Sequence, residues 1–133
     1  MSLSAFLNPV KYENKKVVIS KRFVDENGNA EEWELQPLNE NEVEKIRKAA
    51  GANVKQADNA SKEQYMSELC AKCVVYPDLK NAKLQDAYGV MGEAELLKEM
   101  LLSGEYTRLV LEVTKINGFD ADLGKMVEEA KNS

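Results

Sequence analysis

The chain has 133 residues, is 44% hydrophobic and carries a net charge of −5 from 23 acidic and 18 basic side chains. That length suits one domain with its own core, and the acidic balance argues against a nucleic-acid surface, which needs clustered Lys and Arg. Histidine is absent, which removes the usual general base at neutral pH and the commonest metal ligand.

The first residues, Met1 to Pro9, have no basic stretch and too short an apolar run for a signal peptide. No run reaches the about 18 apolar residues that a membrane helix needs, so neither secretion nor a membrane partner is expected. Leu3, Phe6 and Leu7 have helical spacing until Pro9 cuts the segment short. Residues 1–14 therefore read as an N-terminal segment that docks on its own body or on a neighbour.

Residues 15–38 read as a β-hairpin. Over Lys16 to Val24 the alternation puts Val17, Ile19 and Phe23 on one face. Asp25-Glu26-Asn27-Gly28 supplies an Asn-Gly turn, and Glu31 to Gln36 alternates again with Trp33 and Leu35 together. Lys15 and Lys21 fall on one face and Lys16 and Arg22 on the other, so no phosphate track forms. A lone hairpin is marginal in water. It must pack on helices, with Phe23 and Trp33 as core residues.

Residues 39–133 read as helical. Asn39 and Glu42 have capping-box spacing ahead of Val43, Ile46, Ala49 and Ala50, and Gly51 ends that helix. Ser61 to Gln64 repeats the box before Tyr65, Met66, Leu69, Cys70, Cys73 and Val74, with Pro77 as the stop. A short helix with Leu84, Ala87 and a core Tyr88 ends at Gly89. Two helices follow over 93–102 and 106–116, closed by Asn117-Gly118. A last helix is capped by Asp120 and carries Leu123, Met126 and Val127. The expected class is α+β and mainly helical: an N-terminal hairpin packed on five or six short helices in a single domain over 1–133.

Chemistry-bearing motifs are few. Cys70 and Cys73 form a lone Cys-x-x-Cys within a helical stretch, whereas structural zinc usually takes four Cys or His ligands. They read as small core residues, with a zinc site shared across a dimer as the other reading. Gly89-Val90-Met91-Gly92 lacks the Gly-Lys-Ser/Thr ending of a phosphate loop. The acidic pairs Glu31-Glu32, Glu93/Glu95 and Glu128-Glu129 fit solvent faces and first helical turns. No catalytic residue, metal site or cofactor is expected. What remains is apolar excess. Leu96, Leu97, Met100 and Leu101, followed by Leu109 and Val113, make arcs wider than one core-facing stripe needs. Burial on two sides would account for them. So would a groove for a partner helix, which makes these six the candidate binding residues.

Several strings, in order, carry a resemblance. They are Val18-Ile19-Ser20-Lys21-Arg22-Phe23, the Trp33 strand with Pro37-Leu38, Cys73-Val74-Val75-Tyr76-Pro77-Asp78-Leu79 and Leu84-Gln85-Asp86-Ala87-Tyr88-Gly89-Val90. Leu96-Leu97 through Met100-Leu101-Leu102, Gly104-Glu105-Tyr106 and Ile116-Asn117-Gly118-Phe119-Asp120 complete the set. In them the chain resembles the tail assembly chaperones of contractile-tailed phages and PBSX-type prophages, the XkdN-like family, from Leu3 to about Asp120. The resemblance implies a non-enzymatic protein of the bacterial host cytoplasm, absent from the finished virion. It would bind and solubilise the tape measure protein, with the major tail tube protein and self-association as further contacts. A small prophage-encoded adaptor that binds a host protein is the rival reading.

Overall fold

The Asn39–Glu42 box forms as read. In the computed structural model, which describes residues 3–53 and 55–119, the Asn39 side chain accepts from Glu42 N at 3.0 Å. The Glu42 carboxylate accepts from Asn39 N at 3.3 Å, and together they start helix α2 (Glu40–Ala49). Gly51 closes it at φ +74°, a left-handed conformation that costs glycine nothing. The next helix, α3 (Asn59–Cys73), begins two residues ahead of Ser61: Asp58 is the cap, and Ser61 N donates to it at 2.7 Å. Helix α4 (Ala82–Ala87) is capped by Asn81, which accepts from Leu84 N at 3.0 Å. Helices α5 (Glu93–Met100) and α6 (Ser103–Ile116) follow. A single turn, α1 (Ser4–Leu7), lies at the start, so the described residues hold six helices. The expected last helix lies outside them.

The strands differ from the expected hairpin in two ways. Ladder pairing joins only β1 (Lys15–Val17) to β2 (Trp33–Leu35), with Val17 opposite Trp33 and Lys15 opposite Leu35. The turn forms, with the Asp25 carboxylate accepting from Asn27 N and Asn29 N, but only one bridge, Val24 to Ala30, extends it. Between them, residues 18–23 leave the ladder. The second difference is a third strand, β3 (Val74–Tyr76), where the sequence reads as the end of a helix. β3 pairs antiparallel with the other edge of β2, giving the order β1-β2-β3. Val-Val-Tyr before Pro77 is β-branched, aromatic and held extended by the following proline.

The sheet and helices share one core. Trp33 and Leu35 of β2 and Ile19 meet Val43 of α2, Leu69, Cys70 and Cys73 of α3, Leu96 and Leu97 of α5, and Leu109 and Val113 of α6. Phe23 packs on this core half-buried, its ring 6.4 Å from that of Trp33. Helix α3 is the spine, touching α2, α5, α6 and β3. The architecture is α+β, as the pattern of elements implies.

Candidate protein-interaction site

The six side chains singled out as a binding groove are interior. Leu96, Leu97, Leu109 and Val113 have no measurable exposure, and Met100 and Leu101 retain 6% and 7%. The groove reading is therefore corrected for this conformation. The wide arcs exist because α5 and α6 are both covered by α3, which contributes Leu69, Cys70 and Cys73 to the contact. The N-terminal segment does not cover them, since its own apolar side chains are exposed. Tyr88 is also corrected. Helix α4 ends at Ala87, so Tyr88 sits at its C-terminal cap, 36% exposed, while Leu84 and Val90 make the core contact.

Cys70 and Cys73 are free thiols inside the core. Burial raises both, Cys70 far above the usual thiol range and Cys73 to about 11, where a hydrogen bond from Asn117 Nδ2 partly offsets it. Neither is a reactive thiolate at neutral pH. Among the described residues no three His, Cys, Asp or Glu side chains come together as a metal cluster. None of their helices is long and apolar enough to cross a membrane.

Two polar joints hold the body, and neither shows in the periodicity of the sequence. At the first, segment 18–23 turns toward the α5–α6 corner. Arg22 places Nη2 2.6 Å from Glu105 Oε1 and Nε 3.0 Å from Oε2, and donates a further bond to the Met100 carbonyl at 2.8 Å. The Ser20 hydroxyl donates to the same carboxylate, and Leu102 N donates to it at 2.8 Å, starting α6. With Arg22 and Ser20 as the main causes, the Glu105 carboxyl falls to about 2. At the second joint, Asn117 Oδ1 accepts from Leu38 N at 2.9 Å and Nδ2 donates to the Val113 carbonyl at 2.9 Å. One amide thus ties the end of α6 to the strand-to-helix connection. Leu102-x-x-Glu105 and Asn117-Gly118 were available as signals, but only for a helix start and a helix stop. A side chain that also bridges distant segments leaves no periodic trace.

Apolar surface open to a partner lies elsewhere. Tyr88 and Leu102 border the Arg22 joint, Leu102 at 61% exposure, and Met91, three residues after Tyr88 in the chain, is almost fully exposed. Between α2 and α3 runs a groove of about 280 Å³ floored by Ile46, Ala49 and Ala50, with Gln64, Glu68 and Lys72 on its far wall. Nothing in the make-up of these surfaces assembles a nucleophile with a base.

A family model described as phage XkdN-like tail assembly chaperone protein matches residues 3–131. The phage-like element PBSX protein XkdN of Bacillus subtilis strain 168 is 32% identical over 129 residues, covering 92% of this chain and 87% of the relative. An uncharacterized protein, YqbN, of the same strain is 30% identical over the same shares. The crystal structure of YqbN superposes with a TM-score of 0.79 at 27% identity, covering 90% of this chain and 98% of that one.

Proposed function

Because the chain belongs to the XkdN-like family of phage tail assembly chaperones, we propose that it binds the tape measure protein and keeps it soluble while the tail is built. The single observation that carries the reading is the family match, which runs from the N-terminal segment through residue 131. The physics of the client supports it. A tape measure exposes apolar helix faces over a great length, and uncovered faces of that kind aggregate. A small acidic protein can mask them without chemistry of its own, in the host cytoplasm, and leave before the tail is complete. The contractile-tail class and a secondary contact with the tail tube protein belong to the same proposal.

The client-facing surface in this reading is the exposed trio Tyr88, Met91 and Leu102, which replaces the interior Leu96–Val113 set. Met91 suits the task because its flexible thioether adapts to varied partner shapes. Using the interior set would require α3 to leave α5 and α6, exposing most of the core. Co-expression with the tape measure protein of the same tail gene cluster, followed by size-exclusion chromatography, tests the proposal. The tape measure should move from the insoluble fraction into a co-eluting complex. Met91→Glu with Leu102→Glu should abolish that complex while leaving the circular dichroism of the free chain unchanged. A tape measure equally insoluble with and without this chain would refute the role.

A further inference from the structure

Residues 80–91 are held to the body by very little. Helix α4 contains no buried side chain, and its six residues are too few for a helix to persist alone in water. It shares no extended contact with any other described helix or strand. Leu84 and Val90 rest half-buried on the core, while Lys80, Lys83, Asp86, Tyr88 and Met91 are exposed. The hydrogen bonds of the segment are local. Gln85 N donates to the Asn81 carbonyl at 3.0 Å, and Val90 N donates to the Gln85 carbonyl at 3.1 Å. Among the described residues, no hydrogen bond or ion pair joins 80–91 to anything outside 78–92.

Both ends of the segment, by contrast, are fixed. Leu79 is buried, and Gly92 leads into α5, where Ala94, Leu96 and Leu97 are buried. One side chain spans the two ends. Gln85 Nε2 donates to the Leu79 carbonyl at 2.8 Å, and Gln85 Oε1 accepts from Gly92 N at 3.2 Å. Gly92 has φ +149° and ψ 152°, a conformation essentially reserved for glycine, so the chain is free to swivel where the segment meets α5.

We propose that residues 80–91 form a flap that opens as one unit about Leu79 and Gly92 while α3, α5 and α6 stay closed. The Gln85 amide is its latch. The open flap presents Leu84 and Val90 beside Tyr88 and Met91 to an apolar helix of the client. This last step rests on the reading that Tyr88, Met91 and Leu102 face the tape measure protein. Opening of this kind gives up little burial, so it needs far less free energy than global unfolding. The side chains gained are aliphatic, which fits an apolar helix face. The core set from Leu96 to Val113 stays enclosed throughout.

Amide hydrogen exchange on the free full-length chain tests the flap. After correction for intrinsic rates, Gln85 and Val90 should share one opening rate, roughly 100-fold or more above Leu69, Cys70 and Cys73 of α3. Gln85→Ala should raise exchange at Val90 roughly tenfold and leave α3 unchanged. Because Gln85 is not among the presented side chains, affinity should then rise by the same factor, since the competent state is more populated. Isothermal titration with a synthetic apolar helix of the tape measure protein reads that affinity. Leu84→Ala should also speed exchange but bring no gain in affinity, because it removes a contact. Flap amides that exchange only together with α3 overturn the flap, as does a latch variant that accelerates both. Faster exchange with unchanged affinity in Gln85→Ala overturns the role toward the client. A wild-type chain that binds no tape measure segment refutes the function proposed above and that role with it, whereas exchange still decides whether the flap opens.

Discussion

The stretch from Leu96 to Val113 and the arm from Leu3 to Tyr12 both look in sequence like surface that wants a cover, and the fold treats them oppositely. The first packs against α3 and holds Leu96, Leu97, Leu109 and Val113 among the best-buried of the described side chains; the second stays in solvent. Both contain several large apolar residues at helical spacing. What separates them is continuity. Helices α5 and α6 run long enough to lie against α3, whereas Pro9 ends the arm's periodicity after one turn. Apolar excess states how much surface must be hidden, and the lengths of the neighbouring elements decide what hides it.

Substitutions can break or sharpen that contrast. The largest effect belongs to Leu97→Glu, which puts a carboxylate among fully buried neighbours. Burying an unpaired charge costs several kcal/mol, comparable to the whole stability of about 5–15 kcal/mol typical of a domain. Thermal melting by circular dichroism should show no cooperative native state. A wild-type melt would mean that α5 is open after all. Trp33→Ala tests the sheet side of the same core and should cost about 3–5 kcal/mol in urea titration. Less than 1 kcal/mol would make the strands a detached unit.

Asn117→Ala should cost about 1–3 kcal/mol, because Leu38 N loses its acceptor away from easy solvation. Amide exchange at Leu38 should accelerate alongside the loss of stability; unchanged exchange would mean that the amide has another partner. The Arg22–Glu105 joint makes a prediction in pH. Glu105 is held at about 2, below its ordinary 4.5. Its contribution is therefore complete above pH 4.5 and is lost as pH falls toward 2. Glu105→Gln should flatten the fall in stability across that window, and an unchanged acid limb would remove Glu105 from it. The smallest effect belongs to Met91→Gln, 97% exposed, which should stay within about 0.5 kcal/mol of wild type. A larger loss would place Met91 in a contact of its own.

Local signals were legible where one residue acts on its near neighbours. Asn39, Gly51, Gly89 and the Asp25–Gly28 turn behave as their types demand. The start of α3 precedes the Ser61–Gln64 box because the Asp58 carboxylate accepts from Ser61 N, and no apolar periodicity marks the residues just after Asp58. β3 was hidden because Val74 continues the apolar spacing of α3 without a break; Val75 and Tyr76, both exposed, break it only afterwards. The overturned binding residues failed for another reason. Periodicity shows that an arc is apolar but carries no information about a helix on its far side. The two joints escaped for the same cause, since Arg22 meets Glu105 across most of the chain.

The central place of β2 sets an order for synthesis. Its partner β1 has already emerged when Trp33 leaves the ribosome, but Tyr76, which pairs with Glu34, follows about 40 residues later. At elongation rates of roughly 5–20 residues per second, the far edge of β2 waits about 2–8 seconds for its second neighbour. An unpaired strand edge beside an exposed tryptophan invites pairing with another nascent chain. Glu34 on that strand and Glu32 just before it flank Trp33, and like charges repeated on every chain of a polysome oppose such pairing until α3 delivers β3.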